Sequence, residues 1–410
     1  MVKTSNKSMR RLLAVGAMLL LGVTAPSFAN AAVHHHAATT TTTTTVPSFC
    51  ATKPCLSTLI TIPESKAGGY KPVAPAGATD LYRCSFFDPK YTSDQMIIGS
   101  TFSAQNHGTT AKPVIEIHHA ILYQVPPNQV ASAKALGSSW TCFGSPTPAT
   151  SLAGLGAMPW AAAWAPGSST ALRPAGYGTP VEKGSGYILQ IHYNLLVADV
   201  KDNSSMNIIT TPAATSGLTA LQGWQLVAPP DLPCPTGVKG TLCNKANSVA
   251  DLGKRFGSSS VQFDSLIEMI CKATTGSDPN WQTATSTSCI WQWPKRSSAV
   301  TLHTVGAHMH LLGKTLSLDL CHTDATCTNS SKVRALFVNS YNFDNQQSYP
   351  IAPTVLHPGD YVKVTCTYDP KLRAFNPQTK KLPPRFIVWG DGSSDEMCLS
   401  TVGYSEGAGS

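Results

Sequence analysis

Short apolar runs bounded by Gly, Pro, Asn or Ser follow one another from residue 80 onward. Their richness in β-branched and aromatic residues is typical of β-strands. The clearest are PVIEIHHAILYQV, SGYILQIHYNLL, AVTLHTVGAHMHLLGKTLSLDL, DYVKVTCTYDP and RFIVWGD. The main exception, VQFDSLIEMICKA at residues 261–273, indicates a short helix. Many short strands with turn signals predict an all-β protein of jelly-roll-like antiparallel β-sandwiches.

The N-terminus has the layout of an exported protein. Four Lys and Arg residues precede an apolar run and the small-residue stretch SFANAA, which predicts a signal peptide over residues 1–31. Residues 32–49 contain three His and seven consecutive Thr and predict a disordered linker. After cleavage, a terminal Ala32-Val33-His34 could chelate Cu(II); the alternative is a polar linker that happens to contain histidine. We therefore expect a secreted protein, with cell-surface association as a variant of this localisation.

The length and charge of the chain indicate how many domains it has and which partners it can bind. The mature chain, about 380 residues, suits two domains, which we place at residues 50–212 and 213–410. No later apolar run approaches the roughly 18 residues of a membrane span. Only 13% of residues are charged, and the net charge of +8 includes four cations of the signal peptide. Since no basic stripe is present, the sequence argues against a nucleic-acid partner.

Twelve cysteines, an even number, in an exported chain predict up to six disulfides rather than thiolate metal ligands. No CxxC pair occurs, which argues against a zinc ribbon. The spacing suggests three local bridges: Cys50–Cys55, Cys234–Cys243 and Cys321–Cys327.

Histidines are clustered inside predicted strands. His308 and His310 stand two residues apart, so on a strand both side chains project to one face while Met309 points away. His118 and His119 are adjacent and can reach one metal only if the strand is locally distorted. A lone strand histidine such as His192 is more often a hydrogen-bonded core residue, but the set as a whole favours a metal site.

The residue types indicate which metal. Imidazoles without a carboxylate at ligand spacing argue against Mg, Ca and Mn sites and against the iron facial triad. Zinc and copper remain. A thioether ligand would favour copper, because it is soft and suits Cu(I), and Met397 in GDGSSDEMCLS is a candidate.

The ordered set EIHHAILYQV, WTCFG, WAPGSSTALRPAGYG, GYILQIHYN, AHMHLLGK, HPGDYVKVTCTYD and GSSDEMC resembles the copper type II, ascorbate-dependent monooxygenases over roughly residues 80–405. The resemblance implies two jelly-roll-like domains with two copper ions per chain, one on each side of a solvent-filled cleft. It also implies small-molecule substrate, O2 and a reductant, either ascorbate or another one-electron donor, as partners.

By this resemblance, one set of side chains matches the ligands of the electron-supplying copper: His118, His119 and His192. Another set matches the ligands of the copper at which O2 reacts: His308, His310 and Met397. Tyr82 stands where the family has a tyrosine beside the substrate. Family disulfides imply the pairs Cys84–Cys142 and Cys366–Cys398.

The chain departs from the family's peptide-hydroxylating members. Gly306 replaces an arginine that holds a substrate carboxylate, and Leu399 and Thr401 replace an asparagine and a tyrosine. A peptide-glycine substrate is therefore not expected. The Cys-rich segment at about residues 228–289 resembles an insertion that is absent from animal members and could cover or reshape the cleft.

The sequence thus predicts a secreted copper monooxygenase that hydroxylates a C–H bond of a small organic substrate. The alternative is a secreted copper-binding or scavenging protein without turnover. A jelly-roll zinc hydrolase is less favoured, since no carboxylate base accompanies the histidines. A serine-nucleophile enzyme is less favoured again, because GxSxG is absent.

Overall fold

A computed structural model gives the fold. It describes these residues: 48–76, 78–104, 107–109, 112–114, 117–143, 145–147, 158–168, 170–195, 201–276, 278, 281–292 and 298–407. The predicted signal peptide and nearly all of the linker lie outside them. The described residues belong to one compact unit. None of their helices is long and apolar enough to cross a membrane.

The sheets of the first half take their strands from residues 56–220. In chain order these strands are β1 (Leu56–Thr61), β2 (Asp80–Phe87), β3 (Gln95–Ser103), β4 (His107–Thr109), β5 (Lys112–Val114), β6 (Ile117–Val125), β7 (Ser139–Thr141), β8 (Trp160–Trp164), β9 (Ala171–Leu172), β10 (Tyr177–Val181), β11 (Gly186–Asn194), β12 (Ser205–Pro212) and β13 (Thr219–Ala220).

Two main sheets form the first half. One has the order β1-β12-β3-β10-β13 with β9 beside β3, and the other has the order β7-β2-β11-β6-β8; β4 and β5 make a small hairpin. All pairs are antiparallel except β10 with β13. Apolar side chains of both sheets, such as Ile97, Ile208 and Leu189, share one core. The central strand β11 is buried along its whole length because both of its faces are covered.

The second half takes its strands from residues 222–406. They are β14 (Gln222–Val227), β15 (Ser286–Gln292), β16 (Val300–His308), β17 (Gly313–Cys321), β18 (Val333–Ser340), β19 (Ser348–Leu356), β20 (Tyr361–Tyr368) and β21 (Leu399–Glu406). They form two antiparallel sheets of orders β14-β21-β16-β19 and β15-β20-β17-β18. Alternate residues of β20 are buried, which is the signature of a strand with one face on a core. Side chains of both sheets meet in that core.

The predicted fold class, antiparallel β-sheets braced by disulfides, is therefore confirmed. Four of the five quoted strand runs are strands in the structure. The fifth, RFIVWGD, was a wrong prediction, because residues 385–391 form only isolated bridges at Ile387 and Trp389. Their backbone groups bond elsewhere: Trp389 N–H donates to the Asp264 carboxylate, and Phe386 N–H donates to the Leu242 carbonyl. The division into domains at residue 212 stays a prediction.

Helices occupy a minor part of the fold. They are α1 (Val130–Ala135), α2 (Ala213–Ser216), α3 (Lys245–Phe256), α4 (Ser258–Thr275) and α5 (Leu372–Phe375). The predicted helix at residues 261–273 is confirmed as part of α4. α3 and α4 pack on each other, and Phe256 of α3 contacts Phe143 of the first half with ring centroids 5.0 Å apart. The Cys-rich segment thus joins the two halves.

Six disulfides are present. The five pairs expected from spacing and from resemblance are all confirmed, and Cys271–Cys289 is the sixth. Cys271–Cys289 fastens the end of α4 to β15, and Cys366–Cys398 fastens β20 to the residue after Met397. Six disulfides are typical of a protein that folds in an oxidising compartment.

Asp264 on α4 should make stability depend on pH. Burial raises the pKa of Asp264 to about 7, and the hydrogen bond from Trp389 N–H and the charge of Lys245 oppose this rise without cancelling it. The folded protein therefore keeps a proton that the unfolded chain releases near pH 4, and this stabilisation is lost as pH rises through about 7. Between pH 5 and pH 8, the free energy of unfolding of the wild type, measured with urea, should fall by roughly 2 kcal/mol more than that of Asp264→Asn. Parallel pH profiles of the two proteins would contradict this assignment.

Candidate metal centre

In the sheet β7-β2-β11-β6-β8, the side-chain rings of three residues on adjacent strands form a row. His192 of β11 lies opposite His119 of β6 on one side and opposite Tyr82 of β2 on the other. Side chains at directly opposed positions share a face of the sheet, and the rings of Tyr82 and His192 stack with centroids 4.0 Å apart. Strand pairing therefore brings residues far apart in sequence into contact.

A bulge adds His118 to this row. The register of β6 with β11 shifts so that His192 pairs with His119 and Tyr193 pairs with Ile117, which leaves His118 as an extra residue. A β-bulge re-aims one side chain without ending the strand. This bulge is the local distortion that His118 and His119 need if both are to reach one metal ion.

Three Nδ1 atoms converge. They lie 2.9 Å apart for His118 and His192, 3.2 Å for His118 and His119, and 3.4 Å for His119 and His192. The centre of a triangle with these sides is about 1.8 Å from each nitrogen, and zinc–imidazole bonds are roughly 2.0 Å long. Each Nδ1 carries either a proton or a lone pair, so among three at least two are alike and their contact is not a hydrogen bond. A cation that accepts three lone pairs removes this conflict.

Asp80 fixes one of these rings. Its Oδ1 lies 2.9 Å from His192 Nε2, and both side chains are fully buried. A carboxylate can only accept here, so His192 carries its proton on Nε2 and turns the Nδ1 lone pair to the centre of the triangle. Such carboxylate–histidine pairs are usual behind metal ligands. Asp80 is not among the residues that the sequence predicts for the site.

The second histidine pair lies where β16 ends. His308 is the last residue of the strand and His310 follows in the turn, with ring centroids 5.3 Å apart. Met309 is fully buried in the core of the second half, as the parity of the residues predicts. Among the described residues, neither ring nitrogen of His310 has a hydrogen-bond partner although the ring is buried. A buried ring with an unpaired nitrogen, which has a lone pair to give to an ion, fits a metal ligand.

Glu396 places His310 beside the segment that carries Met397. Its carboxylate accepts the backbone N–H groups of His310 at 2.9 Å and of Leu312 at 2.6 Å. His308, the last residue of β16, pairs with Leu399, the first residue of β21. Because the two strands are antiparallel, continuing this register by two residues sets Met397 opposite His310. The Met397 side chain is buried in a cluster that includes Trp389. The structure thus brings the backbone of Met397 next to the histidine turn.

The five histidines form one cluster. The ring of His118 lies 5.7 Å from that of His308 and 5.6 Å from that of His310, and His119 lies 5.4 Å from His308. The expected solvent-filled cleft does not separate the two groups. The reason is packing from both halves: Phe343 stacks on His118 at 4.3 Å, and four of the five rings are buried.

Gln346 touches histidines of both groups. Its Nε2 donates to the Phe343 carbonyl at 2.9 Å, which directs Oε1 to His308 Nδ1 at 2.7 Å. His308 therefore donates from Nδ1 and keeps a lone pair on Nε2. The amide nitrogen also lies 3.4 Å from His118 Nε2. No sequence pattern pointed to Gln346.

Burial keeps four of the five imidazoles neutral. Loss of hydration lowers the pKa of His308 to about 4 and that of His310 to about 3, with neighbouring histidines adding to the effect. The same causes hold the pKa values of His118 and His119 well below their usual range. Neutral imidazole is the form that binds metals, so these four side chains need little deprotonation before they accept an ion.

Comparison with known proteins finds a match within the second half. A sequence model described as "Copper type II ascorbate-dependent monooxygenase, C-terminal domain" matches residues 267–408. This part of the chain is similar to that domain. The matched segment contains His308, His310 and Met397, whereas the three-histidine group lies outside the match.

Other comparisons add little to the monooxygenase assignment. No curated protein matches. Among solved structures, PNGase F, a glycosylasparaginase from Flavobacterium meningosepticum, aligns over 86% of this chain and 97% of its own at 9% identity and a TM-score of 0.29. PNGF-II aligns over 86% of this chain and 65% of its own at 8% identity and a TM-score of 0.30. Scores this low support no inference about the monooxygenase domain.

Two positions at which the chain differs from the family's peptide hydroxylases meet in the matched segment. Gly306 and Thr401 are direct partners across β16 and β21. A Cβ atom on Gly306 would lie 2.4 Å from the Thr401 hydroxyl oxygen, so the threonine leaves no room for a larger residue. Tyr82 in the first half donates its hydroxyl to the Asp391 carbonyl at 2.9 Å. A contact of Tyr82 with substrate stays a prediction.

Proposed function

We propose that this protein is a secreted copper monooxygenase that hydroxylates a C–H bond of a small organic substrate. One oxygen atom of O2 would enter the product and the other would leave as water, with two electrons and two protons supplied through ascorbate or another one-electron reductant. The convergence of three Nδ1 atoms, which cannot all be paired by hydrogen bonds, is the observation that carries the metal assignment.

The residues fit two copper ions of different character. His118, His119 and His192 would hold one ion with imidazole nitrogens alone, and His308, His310 and Met397 would hold the other with an added thioether that favours Cu(I). When bound, copper would supply one-electron redox chemistry and reactivity toward O2.

The chain's own groups hold these ligands in place and keep water away. Asp80 and Gln346 set the tautomers of His192 and His308, and the Glu396 carboxylate holds the turn at His310. Phe343 covers one face of His118. Preorganised ligands in a dry setting reduce the reorganisation that a change of metal oxidation state requires.

The substrate is proposed to be other than a peptide ending in glycine. The position of the arginine that binds a carboxylate in the peptide hydroxylases is Gly306, and Thr401 fills the space beside it. A small aliphatic or aromatic substrate, such as a phenethylamine-like amine, needs no such arginine.

Copper titration and oxygen uptake test this function. Purified mature protein should bind two copper ions, apart from any held by the His-rich linker, as measured by metal analysis. With ascorbate and a panel of small substrates it should consume O2 and form hydroxylated product. His119→Ala should lose one ion and turnover. Tight binding of two ions with no turnover on a broad panel would instead favour a copper-scavenging protein.

A further inference from the structure

We propose that Asp80 is a positioning residue that makes metal binding by the three-histidine group depend on a loop of the other half of the protein. This inference rests on the proposed copper function. The loop comprises residues 391–397, DGSSDEM, between the bridge at Trp389 and β21. Asp80 is the first residue of β2 and is fully buried.

The Asp80 carboxylate joins four groups. Oδ1 accepts from His192 Nε2 at 2.9 Å, from the Ser393 hydroxyl at 2.8 Å and from the Ser393 backbone N–H at 3.1 Å. Oδ2 accepts from the Thr79 hydroxyl at 2.8 Å. The same oxygen that sets the tautomer of His192 is thus fixed by the loop, which lies more than 300 residues away in sequence.

The loop itself is held rigidly. Asp395 receives two bonds from the Arg255 guanidinium, at 2.7 and 2.9 Å, and a further contact from Arg385 at 3.3 Å. Glu396, the next residue, accepts the backbone N–H groups of His310 and Leu312. One end of the loop therefore supports His192 through Asp80, and the other end supports the His310 turn.

This arrangement gives Asp80 two separable contributions. It orients the His192 ring so that the Nδ1 lone pair faces the other two histidines, and its charge strengthens the bond from Nε2–H. Asp80→Ala removes both contributions. Asp80→Asn keeps an acceptor oxygen but removes the charge. Ser393→Ala removes one bond that fixes the carboxylate, while leaving Asp80 and every histidine in place.

The first measurement uses metal-free protein labelled with ¹⁵N-histidine. NMR should show His192, assigned with a His192→Gln variant, protonated at Nε2 and bare at Nδ1. In Asp80→Ala the two tautomers should become mixed, and Asp80→Asn should restore part of the preference. If Asp80→Ala does not fold, Asp80→Asn and Ser393→Ala carry the test. An unchanged His192 tautomer in the folded variants would overturn the inference.

The second measurement is Cu(I) affinity by competition with a chelator, in a background with His308→Ala and His310→Ala and with His34, His35 and His36 of the linker also changed to Ala, so that the three-histidine group is the proposed site that remains. Asp80→Ala should weaken binding by roughly 10- to 100-fold, as loss of an outer partner of a metal ligand does. Asp80→Asn should weaken it less, and Ser393→Ala should weaken it measurably. The control is Ser394→Ala, because buried Ser394 contacts Arg373 through its backbone carbonyl.

The outcomes separate this inference from the proposed function. Equal copper affinity of wild type, Asp80→Ala and Ser393→Ala would overturn the role of Asp80 and leave the copper function intact. Failure of the wild type to bind copper would contradict the proposed function, and the tautomer measurement would still decide whether Asp80 orients His192.

Discussion

Replacement of Arg255 with alanine should destabilise the protein by about 3–5 kcal/mol, because it strands a buried charge. The Asp395 side chain is 1% exposed and receives two hydrogen bonds from Arg255, which is itself 6% exposed. Arg385 makes only a longer contact with the same carboxylate, at 3.3 Å. Urea unfolding of the metal-free protein followed by tryptophan fluorescence measures the loss.

Two further variants sharpen this test. Arg255→Lys keeps a charge but cannot make both bonds, so its loss of stability should be intermediate. Arg334→Ala, at an exposed position of β18, is the matched control and should change stability by less than about 0.5 kcal/mol. A loss below about 1 kcal/mol for Arg255→Ala would show that the loop is held by other contacts.

Replacement of Met397 with isoleucine should abolish turnover while the three-histidine group keeps its copper. The thioether is the proposed ligand that separates the two sites, and a branched alkyl group of similar volume preserves much of the packing in the cluster with Trp389. The loss of turnover should exceed the roughly 100-fold that removal of an outer partner costs. Oxygen uptake with ascorbate and metal analysis of the same sample provide the measurement.

Met206→Ile provides the control for this substitution. Met206 is equally a buried methionine, but it lies on β12 in the core of the first half. The Met206→Ile variant should retain turnover and two copper ions. Loss of both ions in Met397→Ile would contradict separate sites, and full turnover in that variant would remove Met397 from the ligand set.

Local patterns in the sequence were enough for much of the fold. Strand composition located β6, β11, β16, β17 and β20, and cysteine spacing gave the three short bridges. Strand parity placed Met309 in the core and His308 near His310. These features depend on neighbours in sequence, which is why a linear pattern contains them.

Features that depend on distant contacts were missed. RFIVWGD has strand composition, but its backbone bonds to α4 and to Leu242, which no local pattern shows. Gln346 becomes important only because its loop is fastened to Pro166 and Ser168 of the first half. Asp80 had a weak signal: an acidic residue at the start of a strand needs a partner if it is buried.

Close packing of the five-histidine cluster should limit how the protein takes up the proposed copper ions. Only His308 keeps partial exposure, and the segments around it are fastened by the bonds of Gln346 to Pro166 and Ser168. We therefore expect a hydrated ion to enter the folded protein only when those bonds open. Copper added to purified metal-free protein should then be taken up slowly, and copper supplied before the two halves close should load the protein faster.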